Sequence, residues 1–391
     1  MPRNPDKLDY TGGLPMGFHS FEVIQDPRTP GYTRHHFGEI LFICLTGVLC
    51  GMNGFAEIEH FAKLHQKWFR SWVKLPNGIP RAQTLSNIFQ LIEPVQFQRC
   101  LVEHLKALHP DIQAQVIAID GKSLRGSNQL LKGPVQAVSA WAADSGLTLA
   151  QEFVSEKSNE ITALPKLLAA LDLEGQIVTI DAMGTQTAIA EQIVEQKGDY
   201  VLALKGNQGD THKEVIDHFD FALRQLDLKK CKGWSIHKQE AEKSNGRLTK
   251  RTVLSTNALE TLNEEIRKRW PELKSLIVVE NETEILSTGR KRKKERRYYL
   301  SSLKVPAEKF HEVIRKHWSI ENQCHWVLDV VFGEDLNQIR TQNAPKNFGS
   351  LVRVALNILK TDTSMKGSLP MKRRQAAFDP QYREKILFSR T

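Results

Sequence analysis

Two short runs of the chain limit its fold more than any other feature, because each is an apolar, β-branched strand that ends in aspartate. The first is VIAIDGKSLRG at residues 116–126, where Asp120 follows the apolar residues and Gly121 is the expected end of the strand. The second is QIVTID at residues 176–181, which ends in Asp181. Apolar residues on both faces are typical of strands inside a parallel sheet. Parallel neighbours would bring both carboxylates to one edge of that sheet, where open α/β folds place their chemistry.

A single aspartate before a glycine is common in turns, so Asp120 alone is equally well explained as turn chemistry. The second aspartate favours a functional site, because two carboxylates in one cleft suit a hard divalent cation that prefers oxygen ligands. Basic side chains are expected at the same rim of the sheet, at Lys122, Arg125 and Lys205. We interpret these three as contacts for backbone phosphates, with solvated rim residues as the alternative.

The predicted elements around the two aspartates describe a mixed sheet. Strand 116–120 is followed by strands at 137–143 and 147–154, which form a hairpin, then by a helix, the strand that ends at Asp181, a second helix and a strand at 200–204. Three strands followed by helix, strand, helix and strand are the succession of a ribonuclease H-like core. The predicted fold class is therefore α/β.

The sequence on either side of this core has a different character. Residues 1–110 show helical periodicity and predict a small helical domain, which either binds DNA or serves packing and dimerisation. Residues 208–299 alternate short apolar segments with polar turns and predict a β-rich insertion that does not continue the core. The insertion separates the first part of the core, 111–207, from its C-terminal part, 300–362. Residues 363–391 are predicted to be a basic tail.

The charge of the chain favours a polyanionic partner. Its formal net charge is +9 over 391 residues, and basic residues concentrate in RKRKKERR at 290–297 and in a second cluster at 372–374. A run of charge is often only a solvated hairpin, but here we expect salt-sensitive contacts with nucleic acid that do not depend on base sequence. Five residues of the first run are the candidate DNA contacts: Arg290, Lys291, Arg292, Lys293 and Lys294.

Cysteine usage and hydropathy indicate the compartment. The five cysteines are scattered and form no CxxC pair, which indicates a reducing environment and argues against a zinc ribbon. The longest apolar run, residues 40–52, is too short to cross a bilayer, and the N-terminus lacks the apolar core of a signal peptide. We therefore expect a cytoplasmic protein without a membrane partner.

A third acidic residue is expected beyond the insertion, in HWSIENQCHWVLDVVFGED at residues 317–335. The leading candidate is Glu321, which helical spacing places on an otherwise apolar face. That face carries Ile314, Trp318, Glu321, His325 and Leu328. A glutamate there is costly unless a cation meets it, although a glutamate that snorkels from the edge of a buried helix is the simpler explanation. Three nearby acids are rivals for this role: Asp329, Glu334 and Asp335.

With these motifs in view, the chain resembles bacterial insertion-sequence transposases of the DDE type, in particular the ISAs-type branch that includes the H-repeat-associated proteins. The resemblance rests on long strings spread over nearly the whole chain: QDPRTPGYTRHHFGEILF, LPNGIPRAQT, AIDGKSLRGS, EKSNEITALPKLL, VTIDAMGTQ, DYVLALKGNQ, HWSIENQCHWVLDVVFGED and NAPKNF. It implies a helical transposase-associated domain before the ribonuclease H-like core. It also implies a catalytic, metal-binding triad of Asp120, Asp181 and Glu321.

The chain departs from related transposases at one motif. They carry Tyr, Arg, Glu and Lys around the catalytic glutamate, and the corresponding residues here are Ile314, His317, Glu321 and Leu328. Only the glutamate is kept, which argues against steps that need that arginine and lysine, such as gripping a hairpin end. Arg315, Lys316 and His317 are the candidates to replace them, and we expect Arg315 and His317 to contact DNA.

The resemblance implies a function in DNA transposition. The protein would bind the terminal inverted repeats of an element and its target DNA as a homodimer, then cleave phosphodiesters and transfer strands. Asp120 would bridge two Mg²⁺ or Mn²⁺ ions, and Asp181 and Glu321 would each complete the site of one ion. Two alternatives remain: a DNA-binding remnant without activity, and a phosphatase with an aspartyl nucleophile. The phosphatase would need a second acid two residues after the nucleophile, where this chain has Lys122.

Overall fold

The computed structural model describes residues 19–388 except 30, 32, 109–114, 130–132, 155–158, 226, 229 and 245. Parts of the predicted N-terminal domain and basic tail, and part of the EKSNEITALPKLL string, lie outside the described residues. Five helices come first: α1 Phe37–Leu49, α2 Phe55–Leu64, α3 Gln66–Arg70, α4 Ala82–Leu91 and α5 Pro94–Leu108. They confirm the helical N-terminal region. Helix α1 is apolar on nearly every side and is buried accordingly, as is typical of a helix at the centre of a packed bundle.

The predicted core follows these helices. Its elements are β1 Val116–Gln129, β2 Gly133–Ala142, β3 Leu147–Phe153, α6 Glu160–Ala169, β4 Ile177–Ile180, α7 Thr187–Glu195 and β5 Asp199–Leu204. In space these strands lie in the order β3-β2-β1-β4-β5. Strands β1, β4 and β5 are parallel, whereas β2 and β3 form an antiparallel hairpin with β1. This topology confirms the ribonuclease H-like core.

Strand β1 is longer than predicted, because Gly121 does not end it. Gly121 pairs with Val138 of β2, and the strand continues to Gln129. On its other side, β1 loses its neighbour at Asp120, because the parallel strand β4 ends at Ile180. Asp120 therefore lies in the middle of a strand, at the point where the parallel part of the sheet ends.

The region predicted to be an insertion contains helices as well as strands. Its elements are α8 Gly209–Gln225, β6 Trp234–Ser244, β7 Arg247–Thr256, α9 Glu264–Arg269, β8 Ser275–Ile285, β9 Arg290–Lys291 and β10 Glu295–Ser301. The expectation that it does not continue the core is wrong for the sheet, because β10 pairs antiparallel with β5. Strands β8, β7 and β6 follow in that order, and β9 pairs with β8, so one ten-stranded sheet runs through the molecule.

Five more helices complete the chain: α10 Ala307–His317, α11 Trp326–Val330, α12 Ala344–Thr361, α13 Leu369–Phe378 and α14 Pro380–Phe388. Helices α6 to α9 pack on one face of the sheet. Helix α10 packs on the other face, beside α12 and the N-terminal helices. Helices α12 to α14 share a single apolar core with α1, α2, α4 and α5, although more than 200 residues separate them in the chain. None of the described helices is both long and apolar enough to span a membrane.

The segment predicted to be a basic tail forms α13 and α14, and its basic cluster is largely buried. Lys372 Nζ donates to the carbonyl of Leu359 over 3.0 Å, and Arg373 Nη2 donates to the carbonyl of Val48 over 2.9 Å. Arg374 is exposed. The expected contribution of Lys372 and Arg373 to DNA binding is therefore wrong, because both side chains are used to dock the C-terminal helices.

Candidate active site

The strand register brings the two predicted aspartates together. Ile119 of β1 pairs with Ile180 of β4, so the next residues on each strand, Asp120 and Asp181, are neighbours across the sheet. Side chains alternate between the faces of a strand, so both carboxylates lie on the face that bears Thr179 and α10. The backbone N–H groups of the turn after β4 fix Asp181, whose Oδ1 accepts hydrogen bonds at 3.1 and 3.2 Å.

The third predicted acid comes from the helical segment between α10 and α11. This segment is a π-helical turn over Glu321–His325, a form that often marks functional sites. Glu321 and His325 each offer one ligand atom that, together with a carboxylate oxygen of Asp120, forms a set within 4.8 Å of one another. Within this set, Asp120 Oδ2 lies 3.5 Å from His325 Nδ1. The sequence predicts His325 only as part of a helical face and not as a site residue.

The predicted apolar face around Glu321 is confirmed for Ile314, His325 and Leu328, which are buried, and is wrong for Trp318 and for Glu321 itself. Ile320, Cys324 and Leu328 are buried, whereas Trp318 is 43% exposed and Glu321 is exposed. Glu321 therefore lies beside the buried stripe and not within it. Its carboxylate therefore needs no cation to offset burial. What indicates a function for Glu321 is its proximity to Asp120.

The electrostatics of the site centre on Asp120. Burial, together with the negative charges of Glu321, Asp181 and Glu160, raises the pKa of Asp120 to about 7. The hydrogen bond from the backbone N–H of Gly121 acts in the opposite direction and lowers the pKa. The pKa of His325 is lowered to about 3, first by burial and then by the positive charges of Arg353 and Lys122. The carboxylates thus repel one another, and the imidazole beside them is neutral at pH 7.

Glu160 is a fourth acid at this site, and the sequence patterns do not reveal it. It is the first residue of α6, and its carboxyl lies against Gly121, where a Cβ would come within 2.4 Å of the carboxyl carbon. Burial and the charge of Asp181 raise the pKa of Glu160. The only available signal is the glutamate in the first turn of a predicted helix, and this is a common way to begin a helix.

Lys122 is predicted to contact backbone phosphates of DNA, but its side chain is buried. Its side chain is 6% exposed, and Nζ lies 2.6 Å from Asp329, 3.3 Å from Asp335 and 3.6 Å from Glu334. The three rivals for the third acid are therefore the ion-pair partners of a buried lysine. Lys122 points to the same face of β1 as Asp120, so this ion-pair cluster fixes the segment after His325 against the strand that carries Asp120.

Two other predicted DNA contacts near Glu321 are corrected in part. His317 is hydrogen-bonded to the hydroxyl of Thr179 at 2.9 Å, and burial lowers its pKa to about 4, so it supplies no positive charge at pH 7. Arg315 is 43% exposed, but it is paired with Glu242 at 3.2 Å. Lys316 is paired with Asp144. Among the described residues, none of the three stands as an unpaired cation that would replace the missing arginine and lysine.

The remaining predicted DNA contacts lie on the surface. Arg125 has a 79% exposed side chain, and Lys205 is exposed at the end of β5, where it lines a cavity with Asp181. The basic run lies at the tip of the hairpin formed by β8, β9 and β10. The exposed basic members of the run are Arg290, Lys291, Arg292, Lys293 and Lys294. Lys294 is paired with Glu280 at 2.9 Å and Glu282 at 3.2 Å, so its charge is already balanced within the hairpin.

The donor set fits a divalent cation. Asp120 and Glu321 supply carboxylate oxygens, and His325 supplies a neutral imidazole, which is a common metal ligand. Nε2 of His325 is buried without a hydrogen-bond partner in the described part of the chain. Burial and then the repulsion of the neighbouring acids raise the pKa of Asp120, and a bound cation would offset both effects.

Several known proteins are similar to this chain in sequence or in structure. Residues 111–358 match the family described as Transposase DDE domain, and residues 18–105 match its associated domain, DDE_Tnp_1-associated. The chain is 36% identical over 368 residues to the H repeat-associated putative transposase YhhI of Escherichia coli (strain K12), covering 93% of this chain and 96% of the relative. It is 36% identical over 375 residues to the putative transposase YncI of Escherichia coli O157:H7, covering 94% and 93%. A solved piggyBac transposase synaptic complex with hairpin DNA aligns with a TM-score of 0.45 and 10% identity, over 96% of this chain and 78% of that one.

Proposed function

The chain belongs to the DDE transposase family, and on that premise we propose that it binds the ends of an insertion sequence, cleaves phosphodiesters there and transfers the freed strands to target DNA. The observation that carries this proposal is the strand register that sets Asp120 beside Asp181, together with Glu321, which offers a carboxylate oxygen within 4.8 Å of one from Asp120. Three carboxylates from two strands and a helix are what metal-dependent phosphoryl transfer requires.

Asp120, Asp181 and Glu321 are the residues that we propose hold two Mg²⁺ or Mn²⁺ ions. Both other acids are charged neighbours of Asp120, so Asp120 would contribute to holding both ions. When bound, the ions supply positive charge that offsets the charge of the reacting phosphodiester. The backbone N–H groups that hold Asp181 and the ion pairs of Lys122 keep the ligands in place before the ions arrive.

The chemistry needs no covalent bond to the protein. A water oxygen forms a bond to phosphorus as the bond from phosphorus to the 3′ oxygen breaks, which leaves a 3′ hydroxyl and a 5′ phosphate. The same 3′ hydroxyl can then attack a phosphodiester of target DNA, so cleavage and transfer share one site. The phosphatase alternative is not favoured, because its second acid would have to stand at Lys122, which is buried in ion pairs.

Exposed basic residues near the site are proposed to hold the DNA backbone. Lys205 lines the same cavity as Asp181, and Arg125 lies on β1 beyond Asp120. The exposed residues at 290–293 add contacts from the hairpin tip. Such contacts position a duplex without reading its sequence. Recognition of terminal inverted repeats and assembly as a homodimer on DNA belong to the same proposal, on the grounds of family membership.

The test is a cleavage assay with end-labelled DNA that carries the terminal repeats, in the presence of Mg²⁺ or Mn²⁺. We expect nicking at the element end, and we expect Asp120→Asn to reduce it by about 1,000-fold or more while DNA binding is retained. The matched control is Glu174→Gln, because Glu174 is an exposed carboxylate before the other end of β4 and pairs only with Lys197 among the residues described. Binding without cleavage by the wild-type protein would identify an inactive DNA-binding remnant and would refute the enzymatic part of the proposal.

A further inference from the structure

The ligand set next to Asp120 contains a nitrogen as well as oxygens. His325 has a side chain that is 7% exposed, and it enters the site from the last position of the π-turn. Its Nδ1 faces Asp120 Oδ2 at 3.5 Å, and the pair is too far apart for a good hydrogen bond. Its Nε2 is also without a hydrogen-bond partner among the described residues. A buried imidazole with no strong partner at either nitrogen is unusual and calls for a ligand.

The spacing of the three groups suits one ion. Metal–ligand bonds of about 2.2 Å allow two ligand atoms of one ion to be up to about 4.4 Å apart. The ligand atoms of Asp120, Glu321 and His325 all lie within 4.8 Å of one another. The set therefore closes on a cation with a movement of a few tenths of an ångström. A direct hydrogen bond between His325 and Asp120 would instead require the two atoms to approach by about 0.5 Å.

The surrounding structure holds His325 in this place. The next turn of helix carries Asp329, which binds the buried Lys122 at 2.6 Å, and Lys122 follows Asp120 on the same strand. Glu334, which also faces Lys122, accepts from the fully buried Arg353 at 2.7 Å. These ion pairs connect both sides of the site, so the imidazole is positioned by structure that does not depend on a bound ion.

We propose that His325 is an inner-sphere nitrogen ligand of the ion shared by Asp120 and Glu321. The inference rests on the proposed function only in that a divalent cation binds this cluster. It deepens that proposal because a nitrogen ligand changes the metal preference of the site. Imidazole suits first-row transition metals better than Mg²⁺, whereas a site of carboxylates alone favours hard cations such as Mg²⁺.

The test uses Mn²⁺ as a spectroscopic probe of the full-length protein without DNA. Electron spin-echo spectra of bound Mn²⁺ are expected to show coupling to a directly bonded ¹⁴N nucleus in the wild-type protein. His325→Gln is expected to abolish that coupling and to weaken Mn²⁺ binding at least about tenfold in calorimetric titration. His317→Gln is the matched control, because His317 also faces this side of the sheet but is hydrogen-bonded to Thr179. Mn²⁺ bound to this variant should still show the ¹⁴N coupling.

Two outcomes would overturn the inference: bound Mn²⁺ without ¹⁴N coupling in the wild type, or coupling that persists in His325→Gln. If His325→Gln does not fold by circular dichroism, wild-type protein labelled with ¹⁵N-histidine provides the second measurement. A change from a ¹⁴N to a ¹⁵N pattern that is also seen in labelled His317→Gln, which lacks the histidine held by Thr179, then supports the proposal, and an unchanged spectrum refutes it. DNA cleavage is assayed separately, so cleavage without nitrogen coupling refutes this inference alone, and nitrogen coupling without cleavage refutes the enzymatic proposal alone.

Discussion

Asp120 is a residue whose position is unfavourable for the stability of the fold and suited to a role in the active site. Its carboxyl is mostly buried and has Glu321, Asp181 and Glu160 as charged neighbours, which together with burial raise its pKa to about 7. A sequence selected for stability alone would not put three other acids around a mostly buried aspartate. Local conflicts of this kind are expected at functional sites, where a bound ligand can supply the opposite charge that the side chains do not provide.

His104 makes a prediction about pH that is independent of the active site. It lies on α5, its Nδ1 is 3.1 Å from the hydroxyl of Ser20, and burial lowers its pKa to about 4. The unfolded chain, with a histidine pKa near 6.5, binds the proton more readily, so this contribution to stability is full above about pH 6.5 and is lost as the pH falls toward 4. We expect His104 to account for a loss of about 2 kcal/mol in the free energy of unfolding between pH 7 and pH 5.

The measurement is urea denaturation of the wild type and of His104→Leu at several pH values. The variant should lose less stability than the wild type over this interval, because it has no proton to gain at that position. Parallel curves for the two proteins would contradict the pKa assigned to His104.

At the scale of residues, the sequence predicts partners that are local and misses those that are distant. Asp120 and Asp181 follow from the pattern of their own strands, and the parallel register then places them side by side. Lys122 is predicted to contact DNA because its neighbours in the sequence leave it at the rim of a sheet. Its partners, such as Asp329, are about 200 residues away in the chain, and no local pattern indicates them.

At the scale of elements, the active site depends on one strand and one helical segment that are joined by ion pairs. Strand β1 carries Asp120 and Lys122 on the same face, and the segment from the π-turn to α12 carries the acids that surround Lys122. Burial of a charged cluster is tolerated only because each charge has partners of opposite sign. The pairing of β1 with this segment is thus part of how the ligands of the site come together.

Lys122→Met is expected to break that connection. The substitution leaves Asp329, Glu334 and Asp335 without their shared cation, and removal of one partner from a buried ion pair typically costs about 3–5 kcal/mol. The change is measured as the free energy of unfolding in urea. Arg125→Met is the matched control, because Arg125 is also on β1 and near Asp335, but its side chain is 79% exposed. This substitution should change the free energy of unfolding by less than about 0.5 kcal/mol. Equal effects of the two substitutions would show that the cluster does not stabilise the fold.

Elements that break a regular period could not be predicted from the sequence. Counting residues along an ideal helix places Glu321 among apolar neighbours, but in the structure Glu321 is exposed and begins a π-helical turn that no local pattern indicates. The predicted end of strand β1 is too early for a related reason, since the pairing of Gly121 with Val138 is a tertiary contact that a glycine in the sequence does not reveal. The core strands themselves were predictable, because their apolar runs are continuous and bounded by turns.

At the scale of the whole molecule, one sheet connects the catalytic core to the basic hairpin. Strand β10 pairs with β5 and then with β8, so the strands that carry the basic run are not a separate module. Arg296 of β10 is held by Asp220 of α8 and by Glu280 of β8, each at 2.6 Å. The base of the hairpin is therefore rigid, and its exposed tip extends past the edge of the sheet that carries Asp181.

The exposed tip residues are expected to set the salt dependence of DNA binding. Replacement of Arg290, Lys291, Arg292 and Lys293 by serine should lower the slope of log affinity against log salt by about 0.9 for each phosphate that the tip no longer neutralises. The measurement is fluorescence anisotropy with labelled duplex at several salt concentrations. A control with the same change in charge replaces four exposed lysines elsewhere: Lys67, Lys197, Lys230 and Lys268. An equal change of slope in the control would mean that net charge, and not the tip, determines affinity.

On the proposal that the hairpin tip contacts DNA, the length of the hairpin sets a distance from the active site. Tyr298 of β10 pairs with Leu204, the last residue of β5 and the neighbour of Lys205 in the sequence. From that pair the chain runs back through the start of β10 at Glu295 to β9 at Arg290, and at about 3.3 Å per extended residue it covers about 25 Å. A duplex rises about 3.4 Å per base pair, so this length corresponds to about seven or eight base pairs. DNA that lies along the hairpin would therefore be held at a fixed number of base pairs from the phosphate that reacts, and the strand length would act as a ruler for the position of the cut.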